Sequence, residues 1–305
     1  MRSETRFDAY YTEFRDFKKR LFDLYAAEGA VLKPKDVPAS LGTTKGYWLA
    51  EWDGRRPEHP RSSASIGDDE IKLFYDLCQI VQPTRSYIIG NSFGLSTFCL
   101  ATAWPSGSVV AIDTWGDVDT RGLAKPLFER IVSVRGINNV QVHAGPSPQE
   151  TPIAVKLFPP VEGPQAISIY FIDGLHRNPA ALDDFVGALP YLDRSSVVLW
   201  HNVNDVAESF ETAYERHGRA LFDQHHVLRT HGPMGIDYSS EAHPDLHAYL
   251  NDFTLIWRDW ERYMNLLDHD AMQRFEGGGA RRSLPYRVAS SAYRRVSQYL
   301  PGSAR

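Results

Sequence analysis

Six short apolar runs, separated by segments long enough for helices, constrain the fold of this 305-residue chain more than any other feature. Continuous apolar runs of this length are typical of strands that are buried on both faces, as in a parallel sheet covered by helices. The chain is therefore predicted to have an α/β fold built on a doubly wound, mostly parallel sheet. The runs are Ser86–Gly90, Ser108–Asp113, Val140–Ala144, Ala166–Asp173, Ser195–Trp200 and Val227–Thr230.

The segment before the first run is predicted to be helical at both ends. Apolar residues from Phe7 to Leu24 recur every three or four positions, which predicts an amphipathic helix. Residues 33–67 are rich in Pro, Gly and Ser without a sustained period, and they predict an irregular connection. Asp68 and Asp69 then offer an N-cap and an acidic first turn for a second helix.

The segment after the last run is predicted to be helical as well, with helices around 249–267 and 286–299. It ends in a basic tail, since residues 281–305 hold six Arg and no acid, which is typical of a solvated surface segment. The chain is thus divided into an N-terminal helix with an irregular cap over 1–67, a sheet-containing core over 68–240, and a C-terminal helical extension over 241–305.

The composition favours small-molecule ligands over nucleic acid or lipid. The formal net charge is −5 and the pI is about 6.1, so the chain has no general attraction for polyanions. The sequence has no run of about 18 apolar residues that would predict a membrane span, and its charged N-terminus does not resemble a signal peptide. The two cysteines, Cys78 and Cys99, lie in apolar helical patterns, which argues against a disulfide framework. We therefore expect a cytoplasmic protein without a nucleic-acid partner.

The first run leads into a turn with two glycines, Gly90 and Gly94, and then into a helical pattern. Glycines let a backbone turn sharply and approach a ligand closely, while the free N–H groups of the new helix face that ligand. The next run ends in Asp113, close to the offset of about 20 residues at which an acid binds ribose hydroxyls. The turn and the acid together predict a nucleoside-binding site.

The same turn also spells Gly-x-Ser-x-Gly, which places Ser92 where an α/β hydrolase carries its nucleophile. Such a hydrolase needs several strands before this turn, including the loop that supplies an oxyanion-hole N–H. Residues 1–85 instead predict a helix, a loop and a second helix. A Ser92-dependent hydrolase is therefore the alternative function.

Polar side chains follow the fourth and fifth apolar runs. Asp173 and His176 come after the fourth run, and His201 and Asn202 come after the fifth. Open α/β sheets bind their ligands beyond the carboxyl ends of the strands. These four side chains are therefore expected to meet at one edge of the sheet and to form the reaction centre.

Taken in order, these motifs resemble the class I S-adenosylmethionine-dependent methyltransferases, and among them the small-molecule O-methyltransferases of the macrocin and catechol type. The resemblance covers about Ile66 to Tyr238. No single motif is specific, but the ordered set is. The matching residues are Gly90, Gly94, Ser96, Thr97, Asp113, Gly145, Ser147, the segment Phe171-Ile172-Asp173-Gly174 with His176, and the pair His201-Asn202.

The resemblance implies a seven-stranded Rossmann-like sheet with helical additions at both ends and S-adenosylmethionine lying over four of its strands. The family pattern is broken at Ile88, where an acid usually precedes the first glycine, and at Pro146, where an Asp usually stands in the third turn. The residues expected to bind the cofactor are Gly90, Asn91, Ser92, Gly94, Asp113, Thr114, Trp115, Ser147 and Asp173.

Methyl transfer to a hydroxyl group requires a base, and His176 is the candidate because imidazole titrates near neutral pH. Asp173 and His201 are the other catalytic candidates. The resemblance also implies a divalent metal, Mg²⁺ or Mn²⁺, at Asp173, His201 and Asn202. One carboxylate of the usual metal set is missing, and Asp205 is a candidate to replace it. A metal-free site is the alternative, and so is a non-catalytic relative that serves as a binding partner.

Three further features are interpreted as structural. Asp183 and Asp184 are expected on the exposed face of the helix after the fourth run, and His225 and His226 on a late strand with packing roles. The Gly232–Gly235 segment is expected to form the turn between the last two strands. Aromatic residues near the C-terminus are expected in core or homo-oligomer contacts.

Overall fold

The computed structural model describes residues 2–35, 47–52, 61–116, 122–163, 166–230 and 232–253, with the backbone alone for 2–11, 33–35, 47–52 and 61–65. The chain divides into two compact units. The larger unit spans Phe17–His243, and the smaller unit contains the residues up to Asp16 and from Pro244 onward. Three segments were proposed from the sequence, and that division stays a prediction.

The larger unit is built on a seven-stranded sheet in the order β6-β5-β4-β7-β8-β10-β9. The strands β4 to β8 run parallel to one another, and β10 runs antiparallel to both β8 and β9. This sheet confirms the predicted α/β fold class. The strands are β1 (Val31–Lys35), β2 (Tyr47–Trp52), β3 (Arg61–Gly67), β4 (Arg85–Ile89), β5 (Ser108–Asp113), β6 (Val140–Ala144), β7 (Ser168–Ile172), β8 (Val197–Trp200), β9 (Gln224–Leu228) and β10 (Met234–Tyr238).

Helices precede the sheet and connect its strands. The predicted N-terminal helix is confirmed as α1, and the helix after the first three strands is capped by Gly67, with the predicted acids in its first turn. The helices are α1 (Arg2–Ala26), α2 (Asp68–Val81), α3 (Leu95–Ala103), α4 (Ala124–Arg135), α5 (Thr151–Leu157), α6 (Ala180–Ala188) and α7 (Ala207–Arg216). None of the described helices combines the length and the apolar character needed to cross a bilayer.

The core explains why the sequence shows continuous apolar runs. Every residue of the central strand β7 and of its neighbour β8 is buried, because helices cover both faces of the sheet. The indole of Trp200 on β8 packs between the rings of Phe185 and Phe210, at centroid distances of 5.5 and 5.6 Å. A sheet packed in this way gives a rigid edge on which functional side chains can be placed.

The segment before α2 differs from its prediction. Residues 33–67 were expected to form an irregular connection, but β1, β2 and β3 pair there as a three-stranded antiparallel sheet. The irregular assignment is therefore wrong for these strands, while 36–46 and 53–60 lie outside the described residues. Strand pairing supplies the order that local sequence periodicity does not show, because the paired residues of β1 and β2 lie 12 to 20 positions apart in the sequence.

At the other end of the larger unit, β9 and β10 pair as an antiparallel hairpin, with Met234 opposite Leu228. Gly232 and Pro233 lie in the predicted turn between the last two strands, whereas Gly235 was wrongly included in it, since it is paired with Val227 in β10. His225 and His226 lie on β9 as expected, and the His225 ring stacks between Phe210 and Tyr214 at centroid distances of 4.0 and 4.2 Å.

Two predictions about helices need comment. Asp183 is exposed as expected, but Asp184 is only 1% exposed, so its surface assignment is wrong. Asp184 faces inward because it precedes Phe185 on the buried side of α6. In the smaller unit, residues 244–253 are helical. The rest of the helix predicted around 249–267, the one around 286–299 and the basic tail lie beyond residue 253, outside the described residues.

Candidate active site

The turn between β4 and α3 begins and ends with glycines in the left-handed region of backbone space. Gly90 has φ +86° and Gly94 has φ +88°. A Cβ atom at Gly90 would lie 2.0 Å from the carbonyl oxygen of Asp173. Only glycine therefore fits at this position, and the turn packs directly against the end of β7. The backbone N–H of Asp173 also donates to the Ile89 carbonyl at 2.8 Å. The turn and the end of β7 therefore lie together at one edge of the sheet.

Asp113, at the end of β5, accepts hydrogen bonds from this turn. Its Oδ2 atom lies 2.6 Å from the backbone N of Asn91 and 2.9 Å from that of Ser92, and its Oδ1 atom lies 2.6 Å from the N of Trp115. A carboxylate that accepts several N–H bonds fixes the surrounding backbone. The predicted turn and the predicted acid are thus in direct contact.

The remaining predicted cofactor residues surround this contact. Thr97 Oγ1 donates to Asn91 Oδ1, while Thr114 is exposed. The Trp115 ring is buried and packs on Phe128 at a centroid distance of 5.1 Å.

Ser147 lies in the turn after β6, with its Oγ 3.5 Å from Asp184 Oδ2. The structure thus places Ser147 beside the buried Asp184. The cofactor roles of all these residues stay predictions.

The four polar residues after β7 and β8 meet as the sequence predicts. His201 Nδ1 lies 2.7 Å from Asp173 Oδ1, and His176 Nε2 lies 2.9 Å from the same oxygen. Asn202 Nδ2 lies 3.2 Å from the other ring nitrogen of His176. One ligand atom from each of Asp173, His176 and His201 lies within 4.8 Å of the others.

Charge and burial act in opposite directions in this cluster. Burial would lower the pKa of His201, but the carboxylates of Asp173 and Glu70 outweigh burial and hold that pKa well above its usual value. Burial would raise the pKa of Asp173, but the imidazoles of His201 and His176 lower it. Asp173 is therefore ionised at neutral pH and acts as the hydrogen-bond acceptor for both rings.

Glu70 is the site residue that sequence reasoning missed. It lies at the third position of α2, is fully buried, and places Oε1 3.3 Å from His201 Nε2. The only local signal is its place three residues after the Gly67 cap, which is typical of a capping glutamate. That signal predicts the helix start and carries no information on His201. Asp205, the carboxylate proposed from the sequence, is exposed and is not part of the close group of ligand atoms.

The hydrolase alternative disagrees with the sheet. The strand before Ser92, β4, comes first along the chain among the strands of the seven-stranded sheet, and the three earlier strands form a separate sheet. A nucleophile elbow instead follows several strands of its own sheet. In addition, the Asp113 carboxylate accepts from the Ser92 N–H. A negative charge in the turn opposes the development of an oxyanion there.

The strand order, the antiparallel β10 and the glycine turn after β4 define the fold of the class I methyltransferases. Residues 88–203 match the sequence model of a family described as a methyltransferase domain. The chain therefore carries a class I S-adenosylmethionine-dependent methyltransferase domain, as the sequence motifs predicted. A search of curated protein sequences found no match.

Solved structures of similar fold include three methyltransferases. A methyltransferase from Geobacter sulfurreducens has 18% identity and a TM-score of 0.43, covering 57% of this chain and 80% of its own. An O-methyltransferase from Bacillus cereus in complex with SAH has 17% identity and a TM-score of 0.44, covering 57% and 83%. The O-methyltransferase TomG from Streptomyces achromogenes has 17% identity and a TM-score of 0.41, covering 57% and 81%. The class assignment rests on the sheet order and the matched segment.

Proposed function

We propose that this chain transfers the methyl group of S-adenosylmethionine to a hydroxyl oxygen of a small molecule, such as a sugar, a phenol or a natural product. The observation that carries the proposal is the meeting of Asp173, His176 and His201 at the edge that also holds the Gly90 turn. Hydroxyl methylation needs a proton acceptor close to the donor-binding turn. This cluster supplies one.

The donor would lie against the turn from Gly90 to Gly94, with its ribose at Asp113. The fit is supported by the order of the turn, because Gly90 packs directly against the backbone of Asp173 and the Asp113 carboxylate holds the amide of Asn91. When bound, S-adenosylmethionine supplies an electrophilic methyl group on a positively charged sulfur. The chain's own task is to hold the donor and to present an acceptor oxygen in line with it.

His176 is the proposed general base. Its Nε2 donates to Asp173 Oδ1 at 2.9 Å, which leaves Nδ1 with a free electron pair. The amide of Asn202 occupies Nδ1 at 3.2 Å, a long neutral contact that an acceptor hydroxyl can replace. The imidazole side chain is 36% exposed, so a substrate can reach it. Asp173 orients the ring and stabilises the imidazolium that forms on proton transfer.

A divalent cation is a further part of the proposal, with Asp173, His201 and Asn202 as its ligands. One carboxylate with imidazole nitrogens suits Mn²⁺ better than Mg²⁺, which prefers an all-oxygen set. The close approach of the Asp173 and His201 donor atoms supports the site. Asn202 would have to turn its amide oxygen inward, since its Nδ2 faces His176. A bound cation would lower the pKa of an acceptor hydroxyl.

Calorimetric titration with S-adenosylmethionine tests the donor site, with and without Mn²⁺ or Mg²⁺, on the wild type and on Asp173→Ala. Transfer of a labelled methyl group to phenol, catechol and sugar acceptors tests the reaction. His176→Gln should lower kcat by about 10² to 10⁴ with unchanged donor affinity, while His217→Gln, outside the cluster, should have no effect. A wild type that binds no donor, or a fully active His176→Gln, contradicts the proposal.

A further inference from the structure

Glu70 connects three separate parts of the larger unit through one carboxylate. Its Oε2 accepts the N–H of Gly67 at 2.7 Å and so caps α2. Its Oε1 accepts the N–H of Gly232 at 3.1 Å, in the connection between β9 and β10, and lies 3.3 Å from His201 Nε2 after β8. The side chain has no exposed surface. These contacts hold the carboxylate in one position behind the imidazole of His201.

The imidazole of His201 lies between two carboxylates. Its Nδ1 faces Asp173 at 2.7 Å, on the side of the cluster where His176 lies, and its Nε2 faces Glu70 on the buried side. Among the described residues, Nε2 is a buried atom without an aligned hydrogen-bond partner, and Glu70 Oε1 is the acceptor that it faces.

The connection at Gly232 closes the other side of this arrangement. A Cβ atom at Gly232 would lie 2.3 Å from Asn202 Oδ1, 2.9 Å from His201 Nε2 and 3.2 Å from Glu70 Oε1. The backbone is therefore packed against all three side chains, and the imidazole cannot swing away from Glu70 in that direction. A buried carboxylate needs donors to offset the loss of its hydration, and Glu70 accepts the N–H groups of Gly67 and Gly232.

We propose that Glu70 is a positioning residue that accepts the Nε2 proton of His201 and thereby holds the imidazole ring with Nδ1 facing Asp173. This inference rests on the proposed function, since it assigns the outer carboxylate of the same site. Metal-binding histidines commonly donate their second N–H to a carboxylate, which fixes the tautomer and the ring orientation. Glu70, from α2, is in that position for His201.

The proton on Nε2 of His201 can be observed directly in the wild type by NMR with ¹⁵N-labelled histidine, using His201→Gln to assign the signal. We expect a slowly exchanging proton on Nε2 of His201. An Nε2 without a proton overturns the proposal, whether or not any variant folds. In Glu70→Gln a neutral amide replaces the carboxylate, so the Nε2 proton should exchange faster and shift.

Mn²⁺ binding, followed by electron paramagnetic resonance, provides the second measurement. Glu70→Gln should weaken Mn²⁺ by about 10- to 100-fold, the usual effect of losing an outer carboxylate. Ile71→Ala is the matched control, because it removes a fully buried side chain from the same helix turn without touching His201. Equal losses in the two variants, or none in Glu70→Gln, overturn the proposal. If the wild type binds neither Mn²⁺ nor donor, the proposed function fails, while the Nε2 proton still decides the role of Glu70.

Discussion

Oδ2 of Asp113 accepts a 2.6 Å hydrogen bond from the backbone N–H of Asn91, which joins the end of β5 to the turn after β4. The same carboxylate also accepts from Ser92 and Trp115. The acid that the sequence assigns to the ribose is thus also the residue that shapes the donor-binding turn. A substitution at Asp113 should therefore act on donor binding through the turn as well as through the sugar.

Asp113→Asn should weaken S-adenosylmethionine binding by about 10- to 100-fold, the value of one or two lost hydrogen bonds to a charged group. The amide has one acceptor oxygen where the carboxylate has two, so at least one backbone N–H of the turn loses its partner. Calorimetry measures the dissociation constant. Asp205→Asn removes an exposed acid that likewise follows a sheet strand, and it should leave donor affinity unchanged. Equal affinities in the wild type and Asp113→Asn would show that the turn does not contribute to donor binding.

Ser92→Ala separates the methyltransferase from the hydrolase alternative. The Ser92 N–H is bonded to Asp113, and this backbone contact is retained in alanine. We expect methyl transfer and donor affinity within about threefold of the wild type, because the expected contact of this residue with the donor site is made by its backbone and not by its hydroxyl. The wild type should also fail to react with a fluorophosphonate probe. Labelling that disappears in Ser92→Ala would instead indicate a serine nucleophile.

The sheet could be predicted from the sequence because each strand is a local apolar run. β5 and β6 begin and end at the predicted residues, and the reaction-centre side chains Asp173 and His201 follow their strands directly. Residues that directly follow parallel strands lie at the same edge of the sheet, so their positions in the sequence were sufficient to predict that they meet. The methyltransferase motifs needed no tertiary information beyond that rule.

The rest depends on contacts between distant parts of the chain. Glu70 and His201 are 131 positions apart, and no spacing rule connects them. β1 and β2 lack alternating apolar patterns, because their order comes from pairing with each other. Asp184 belongs to an acidic pair that local statistics place on the surface, and burial of the α6 face overrides that preference.

Gly90→Ala should abolish donor binding. The added Cβ would lie 2.0 Å from the carbonyl oxygen of Asp173, and φ +86° is strained for alanine. Gly136→Ala is the control, since Gly136 also has a positive φ, +61°, but nothing lies within 4 Å of its Cβ position. Gly136→Ala should lose about 1 kcal/mol from backbone strain, measured by denaturant unfolding, and Gly90→Ala should lose more because its Cβ also overlaps the Asp173 backbone. Loss of donor affinity in the Gly90 variant alone assigns the effect to the close approach at β7.

Asp184 should make the fold less stable as pH rises. Burial, together with the nearby charge of Asp183, raises the pKa of Asp184 from 3.8 to about 7, although the Ser147 hydroxyl opposes the change. The folded chain therefore binds more protons than the unfolded chain between about pH 4 and pH 7, so the free energy of unfolding falls across that window. Asp184→Asn carries no charge and should be more stable than the wild type at pH 8 by about 2 to 4 kcal/mol.

Urea unfolding at pH 4 and at pH 8 measures this difference. At pH 4 the wild-type carboxyl is already protonated in the fold, so the wild type and Asp184→Asn should have similar stability. Asp183→Asn changes the same formal charge one residue earlier, on an exposed side chain, and should shift stability by less than about 0.5 kcal/mol at either pH. A wild type whose stability rises from pH 4 to pH 7 relative to Asp184→Asn would mean that Asp184 is ionised in the fold and has a donor that stabilises its charge.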